Sequence, residues 1–358
     1  MNKGKVVVGM SGGVDSSVAA LLLKEQGYDV IGVTMQIWQE EKQCDISENG
    51  GCCGLSAVED ARKVAQVIGI PYYVMNFRQE FQNKVIDYFV DEYYKGRTPN
   101  PCIACNRYIK WESLLHRATE IGADYIATGH YGKIITLPNG RLSVAKSASL
   151  NKDQSYVLYN LTQEELKHTI FPIYGMEKDR VREIARDNNL PVAMKKDSQD
   201  ICFVPDGDYA SFIEKETGKP CQPGNFVDTN GRVLGRHKGI THYTVGQRKG
   251  LGIAFGEPKF VIKINPSDNT VVLGSAQDLM VREVTVSDVN YMSVDGISEP
   301  VRVMGKLRYS QKEAPCTIMP GPYGGIMAQF DEPMRAATPG QSAVFYKDDC
   351  IMCGGIIE

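Results

Sequence analysis

Two groups of residues have types and spacings that can do chemistry. The first is Gly9-Met10-Ser11-Gly12-Gly13-Val14-Asp15-Ser16-Ser17, which lies between the apolar run KVVVGM and a helical pattern. Small residues at a strand-to-helix turn let backbone N–H groups face inward as an anion nest, and the positive end of the helix dipole reinforces it. Such a loop binds phosphate. It lacks the lysine of a Walker A sequence and the G-x-G-x-x-G spacing of a dinucleotide fold. The plainer alternative is a Gly-rich turn with Ser as the helix N-cap. The second group is thiols: Cys102-x-x-Cys105, behind the stiff Arg97-Thr-Pro-Asn100-Pro101 turn, and Cys202 in Asp197-Ser-Gln-Asp-Ile-Cys202-Phe. A thiolate is a nucleophile and a metal ligand. CxxC also builds structural zinc sites, but the second CxxC or paired histidines of a closed site are missing. An Ile-Cys-Phe position often holds a buried cysteine; the polar loop before Cys202 argues for a reactive one.

The elements that must hold these groups follow from periodicity. From Lys5 to Phe77, short β-branched runs alternate with helical patterns: KVVVGM, Ser16 to Gln26, VIGVTMQIW, Val58 to Ile68, YYVMNF. This is βαβαβ and predicts a parallel sheet with ligands beyond the carboxyl ends of its strands. Helical spacing returns at Phe81 to Tyr94 and Trp111 to Ile121, YIATGH (Tyr125 to His130) reads as a buried strand, and Pro138-Asn139-Gly140 as a hairpin turn. A helix is expected at Lys178 to Asn188. From about Asp208 the texture becomes Gly-, Pro- and Thr-rich, with short alternating runs KFVIKI, TVVLG, VRVMGKLRY and SAVFY. The fold class is therefore α/β: a parallel-sheet nucleotide domain at 1–208, a small linking domain at 209–276 and a C-terminal β-barrel at 277–358.

The chain has 358 residues, ordinary hydrophobic content of 42%, ten cysteines and a net charge of −3. No apolar run approaches the roughly 18 residues that span a bilayer, and the start MNKGKVVVGM reads as a strand, not a signal peptide. A cytoplasmic location with reduced thiols and no membrane association is expected. The acidic balance argues against indiscriminate nucleic-acid binding, so local basic clusters matter. Arg232, Arg236, Lys238, Arg248 and Lys249, with His237 and His242, form such a stripe without an acidic residue. It reads as a track for RNA phosphates, or as a solvated charged face.

The S-G-G-x-D-S-S run resembles the PP-loop of ATP pyrophosphatases, which bind the pyrophosphate of ATP and cleave between its α and β phosphates. ATP is the implied cofactor. Asp15 is then a candidate for holding Mg2+, a hard cation that takes oxygen ligands, or a helix-capping residue. Met35 and Gly129, at strand ends, lie where an adenosine would rest, or simply pack. Together the PP-loop, R-T-P-N-P-x-x-x-C-N, Lys152-Asp153-Gln154-Ser155, D-S-x-x-I-C-F, Gly246-Gln-Arg-Lys-Gly-Leu-Gly252 and Arg308-Tyr309 resemble the bacterial tRNA-specific 2-thiouridylases, the MnmA family, over nearly the whole chain.

That resemblance implies a sulfurtransferase that adenylates the wobble uridine, U34, of tRNA at its 2-oxygen and replaces that oxygen with sulfur. It places the nucleophile on Cys105 and the persulfide-accepting thiol on Cys202, the two ending as a disulfide. It places tRNA contacts on Asn100, Pro101, Cys102, Lys152, Asp153, Gln154, Arg308 and Tyr309. The implied partners are tRNA, with Lys, Glu and Gln acceptors, and a sulfur-donor protein or sulfide. The base must leave its stack to reach ATP. One departure matters: many relatives carry an acid-base aspartate where this chain has Cys102. The thiols Cys102, Cys105 and Cys202 are then equally a ligand set for an iron-sulfur cluster with one open iron. Cys52-Cys53 is assigned no chemistry. The rivals are another PP-loop ligase or amidating synthetase, which needs neither thiol pair nor basic stripe, and a nucleotide-binding regulatory protein with structural zinc.

Overall fold

A computed structural model describes residues 3–37, 55–147, 152–196, 201–253 and 256–358. The chain folds into two compact units, one from Met1–Val85, Cys102–Gly207 and Asp349–Ile351, the other from Ile86–Pro101, Asp208–Asp348 and Met352–Glu358. Cys52, Cys53 and the Asp197-Ser-Gln-Asp loop lie outside the described residues.

The first unit is organised by β1 (Lys5–Gly9), whose Val6, Val7 and Val8 are fully buried. A continuous apolar run of this kind suits a central parallel strand covered on both faces. β1 is followed by α1 (Val14–Glu25), β2 (Asp29–Gln36), α2 (Leu55–Ile68) and β3 (Tyr72–Asn76). Ala57, Ala61, Val64, Ala65 and Ile68 of α2 are all buried, a 3.6-residue stripe that turns one face to the core. β4 (Tyr125–Ala127) and, after the hairpin β5 (Lys133–Thr136) and β6 (Leu142–Ala145), β7 (Thr169–Ile170) complete a sheet of order β3-β2-β1-β4-β7, parallel throughout. The hairpin turns at Gly140, as the Pro-Asn-Gly signal predicts. The α3 helix (Lys178–Asp187) buries Val181, Ile184 and Ala185 against the same core as α1.

Strand order steps one way from β1 to β2 and β3 and the other way to β4 and β7, so the switch of direction falls between β1 and β4. Ligands of open parallel sheets bind in that crevice. The segment expected to be one strand, YIATGH, ends at Ala127. Thr128, Gly129 and His130 leave the sheet there, because Gly129 must pass against the first turn of α1 and no further strand pairing can follow.

In the second unit α4 (Tyr209–Thr217) is capped by the Asp208 side chain, which accepts from Ser211 N. A four-stranded sheet follows, order β10-β11-β8-β9, built from β8 (Gly224–Val227), β9 (Val233–His237), β10 (Phe260–Asn265) and β11 (Thr270–Gly274). The remaining strands, β12 (Met280–Tyr291), β13 (Val301–Lys306), β14 (Ala314–Pro320), β15 (Ile326–Arg335), β16 (Ser342–Lys347) and β17 (Cys350–Ile357), run in the order β12-β15-β14-β13-β16-β17, and β12 pairs back to β17. The expected barrel is thus closed, which removes sheet edges. Val284, Val286, Ile318, Ile326, Phe330 and Phe345 fill it. VRVMGKLRY is a strand only to Lys306. Beyond it Leu307 is fully buried, and Arg308 turns into hydrogen bonds instead of the ladder.

The Arg97-Thr98 turn is anchored within this unit. Arg97 pairs through Nε with the buried Glu92 at 2.8 Å and through Nη1 with Glu358 at 2.7 Å. Thr98 N donates to Pro339 O at 2.8 Å, and Gln341 Nε2 donates to Thr98 O at 2.7 Å. The hydrogen bond from Arg97 holds the Glu358 carboxyl below its usual value. A depressed carboxylate stabilises the fold above its unfolded pKa, and the contribution is lost as pH falls through the lower folded value. Arg97→Ala strands the buried Glu92, leaving it only the mostly exposed Lys95 among the described residues. It should cost about 3 kcal/mol and flatten the acid limb of a melting-temperature profile below the ordinary glutamate range; calorimetry against pH checks both.

Candidate nucleotide and thiol site

The loop after β1 is built by its own hydroxyls. Ser11 N donates to Ser16 Oγ at 3.2 Å, Ser16 Oγ to Gly13 O at 3.3 Å and Ser17 Oγ to Gly13 O at 2.7 Å. The N-cap of α1 is Gly13 and no side chain caps it; the simple serine-cap alternative does not hold. A helix start without a side-chain acceptor leaves its first-turn N–H groups for an anion. Met10 and Val14 lie in the core, so they offer the loop only backbone. Thr34 Oγ1, beside Met35 on β2, fixes the loop from below by donating to Met10 O at 2.7 Å. Met35 itself is half-buried in register with Met75 of β3.

Two glycines are required by space. Gly12 has φ +68°, and a Cβ there would lie 2.4 Å from Ala57 O. At Gly129 it would lie 2.6 Å from Ser16 N and 2.7 Å from Asp15 C. Gly129 therefore brings the β4 exit against the start of α1, at the crevice where the sheet switches direction.

Lysines from distant sequence surround the loop. Lys178 Nζ lies 2.8 Å from both oxygens of Asp15, and Tyr131 Oη donates to Asp15 Oδ1 at 2.7 Å. Lys195 Nζ donates to Gly12 O at 3.0 Å and to Asp60 at 2.7 Å. The Asp15 carboxylate is thus answered by a lysine. Mg2+ would have to displace Lys178 from it, so the arrangement does not fit a resident metal at Asp15. Lys178 has no local signature in the sequence. Lys195 belongs to an adjacent basic pair just before the Cys202 segment, the only signal in the sequence that points to it.

The helix carrying the thiols is unusual. After Pro101–Ala104, residues Cys105–Leu114 form a π-helix, which continues as Leu115–Glu120. Wide turns of this kind often mark functional sites. Cys105 opens the stretch, with Asn106, Lys110 and Trp111 following. Lys110 Nζ donates to Asn106 Oδ1 at 2.7 Å and lies 3.5 Å from His130 Nε2; Thr128 Oγ1 lies 2.7 Å from His130 Nδ1. Burial, with the Lys110 ammonium adding to it, pushes the His130 pKa well below its ordinary value. Facing the Lys110 ammonium, Nε2 is the acceptor, which makes the ring neutral and leaves Nδ1 to donate to Thr128. Phe203, next to Cys202, packs edge-on against Phe81 at 5.9 Å.

Cys102 is exposed, Cys105 and Cys202 are half-buried, and none is in a disulfide. Cys316, Cys350 and Cys353 are buried instead, and burial pushes Cys316 up to about 12. The thiols of the expected set are thus more accessible than the three buried ones, as a reacting thiol must be. Among the described residues, only Glu214, Cys221 and His242 have metal-binding atoms all within 4.8 Å of one another. Within that trio Cys221 N donates to Glu214 Oε1 at 2.6 Å, and Cys221 Sγ lies 2.7 Å from Thr241 Oγ1. Cys102, Cys105 and Cys202 are not gathered around a point that would hold one ion. A cluster spreads its thiolates over several irons.

The residues expected to meet tRNA divide into two kinds. Lys152 is half-buried and Tyr309 is 44% exposed. Asp153 is 9% exposed and accepts from Ser147 N, Ser155 N and Ser155 Oγ. Gln154 Oε1 accepts from Tyr131 N at 3.0 Å. Arg308 donates to Val245 O, Ala336 O and Thr338 Oγ1. These three side chains also hold loops of their own unit in place. Asn100 is half-buried and Pro101 buried. In the basic stripe Arg232, Arg236, Lys238, Arg248 and Lys249 are exposed, whereas His237 is a core residue that accepts from Gly239 N. His242 is half-buried, and burial lowers its pKa.

Gly129→Ala should weaken ATP binding by at least about tenfold, because the clash falls on backbone at the phosphate loop and not on a flexible side chain; equilibrium binding of ATP to the variant checks it.

Comparison with known families gives three consecutive matches: a tRNA methyl transferase HUP domain over residues 4–206, a tRNA methyl transferase PRC-barrel domain over 210–275 and an aminomethyltransferase beta-barrel domain over 281–357. A tRNA-specific 2-thiouridylase MnmA of Lachnoclostridium phytofermentans is 60% identical over 353 residues, covering 99% of each chain. The protein of that name from Clostridioides difficile is 58% identical over 359 residues, covering 100% of this chain and 99% of the relative. The one from Acetivibrio thermocellus is 56% identical over 360 residues, covering 100% of both. With identity at this level along the whole length, and with the phosphate loop and thiols in place, the chain belongs to the tRNA-specific 2-thiouridylase family.

Proposed function

We propose that the protein is an ATP-dependent tRNA 2-thiouridylase, a sulfurtransferase that converts the wobble uridine of tRNA to 2-thiouridine. The carrying observation is the phosphate loop at the sheet's switch point within the same compact unit as accessible thiols, in a chain 56–60% identical to full-length relatives of that name. The family models carry a methyltransferase name. A loop shaped for pyrophosphate and a set of reactive thiols support adenylation and sulfur transfer instead.

The reaction divides into two steps. Gly9 to Ser17 bind the ATP phosphates, with Met35 and Gly129 beside the adenosine, and the uridine 2-oxygen attacks the α-phosphorus as pyrophosphate leaves. A persulfide on Cys202 then attacks C2, and the C2–O bond breaks with its electron pair leaving on AMP. The Cys105 thiolate attacks Cys202 Sγ, breaking the S–S bond to release 2-thiouridine and forming a Cys105–Cys202 disulfide that an external dithiol must reduce. Asn100, Pro101, Cys102, Lys152, Asp153, Gln154, Arg308 and Tyr309 are the proposed contacts near the target base, and the exposed arginines and lysines of the stripe hold RNA phosphates. The reading includes Lys, Glu and Gln tRNAs, a sulfur-donor protein, the division of the chain at about 208 and 276, and a cytoplasmic location. Among the described residues no helix is long and apolar enough to cross a membrane.

A second sulfur route is favoured by Cys102, a thiol where a carboxylate would serve acid-base work. Three thiolates, Cys102, Cys105 and Cys202, suit an iron-sulfur cluster whose open iron takes sulfide as the donor. Iron and acid-labile sulfide measured on anaerobically purified protein separate the routes. A stoichiometric cluster lost in Cys102→Ala establishes the second, and iron-free protein that thiolates tRNA establishes the first. In either, Cys105→Ser and Cys202→Ser should each lower 2-thiouridine formation by more than about 100-fold while leaving tRNA-dependent pyrophosphate release within a few-fold. Full thiolation by both variants would sink the assignment of these thiols.

A further inference from the structure

Each lysine near the phosphate loop has a partner that limits what it can do. Lys178 is paired with Asp15, and Lys195 with Asp60. Lys110 differs. Its half-buried ammonium is held by the amide oxygen of Asn106 and faces the imidazole of His130, both neutral, and no carboxylate among the described residues takes part. Both neighbours are themselves fixed: Asn106 Nδ2 donates to Val157 O at 2.8 Å, and the His130 ring bonds Thr128 and packs against Trp111 and Phe171 at 5.6 and 6.1 Å. A cation withdrawn from water without a counter-charge is costly. A rigid neutral cradle that keeps it so is a site an anion completes.

The location says which anion. His130 follows Gly129, whose backbone lies against Ser16 at the start of the phosphate loop. Asn106 follows Cys105. Lys110 is thus tied on one side to the turn that touches the nucleotide loop and on the other to the residue beside a reactive thiol. The loop itself has no lysine.

We propose that Lys110 binds the α-phosphate of the nucleotide, during adenylation and again as AMP departs, and that Asn106 and His130 are positioning residues that aim its Nζ. The proposal rests on the thiouridylase reading. When the uridine oxygen bonds to the α-phosphorus, the electron pair of the breaking P–O bond leaves on pyrophosphate and the uracil N3 proton goes to water. When sulfur displaces AMP, the C2–O pair ends on the same phosphate. Lys110 meets the charge on its non-bridging oxygens in both steps.

The test is single-turnover adenylation by the full-length protein with α-labelled ATP and tRNA carrying the wobble uridine. Lys110→Met should slow it about 100- to 1000-fold, with tRNA affinity changed less than about threefold, and Lys110→Arg should recover at least about tenfold of the loss. His130→Gln should cost about tenfold. ATP carrying sulfur at the α-phosphate gives a readout that a merely structural tie leaves untouched: the wild type should prefer one diastereomer and Lys110→Met should lose the preference. Adenylation by Lys110→Met within threefold of wild type overturns the proposal, and so does a loss that Lys110→Arg shares in full with the diastereomer preference intact. If the wild type itself forms no AMP with tRNA, the thiouridylase reading fails. The phosphate site is then judged by AMP binding, which Lys110→Met should weaken about tenfold and which, if unchanged, ends it.

Discussion

The approach of Gly129 to the first turn of α1 is the constraint on which the site depends. With 2.6 Å between the position of an added Cβ and Ser16 N, the β4 exit and the phosphate loop are in van der Waals contact and cannot move apart or closer without rebuilding both. The contact sits where strand order reverses, so it also defines the floor of the crevice that a parallel sheet offers to a ligand. Thr128 and His130, on either side of the glycine, are thereby delivered beside the loop, and His130 brings the π-helical thiol segment with it through Lys110.

Charge is distributed around that floor with little left to chance. The aspartate in the loop is matched by Lys178, and the carbonyl of Gly12 by Lys195. A phosphate group arriving at the helix start would find unbonded first-turn N–H groups and a nearby ammonium held by neutral groups, while the acidic side chain that would repel it is already neutralised. Low local dielectric strengthens every one of these interactions. Asn106 and Lys110, four residues apart on one helix face, share a 2.7 Å hydrogen bond.

The second unit has a different physical logic. It captures the Arg97-Thr98 turn in a network of Glu92, from the helix just before it, and Pro339, Gln341 and Glu358, from the end of the chain. The turn expected from Pro and Arg spacing is thus held by the β-rich unit, although the cysteines that follow it pack in the α/β unit. Arg308 and Asp153 illustrate a related point. Charged residues in recognisable motifs invite a ligand contact, and each here also bonds backbone and hydroxyl groups of its own unit.

Periodicity and local chemistry were enough to read the βαβ alternation, the hairpin at Gly140, the barrel's alternating strands and the phosphate loop, because each depends on residues within a turn or two of one another. The resemblance of ordered motifs carried the family and marked Cys105 and Cys202. Only the tertiary structure decided which motif side chains are free to act. Asp153, Gln154, Arg308 and His237 were legible as polar, and their burial and partners were not, since those depend on strands and loops far away in sequence. Lys178, Lys195, Lys110 and His130 were invisible as site residues for the same reason. A lone lysine or histidine has no local signature, and its meaning comes from the carboxylate, carbonyl or neutral ring that the fold sets against it.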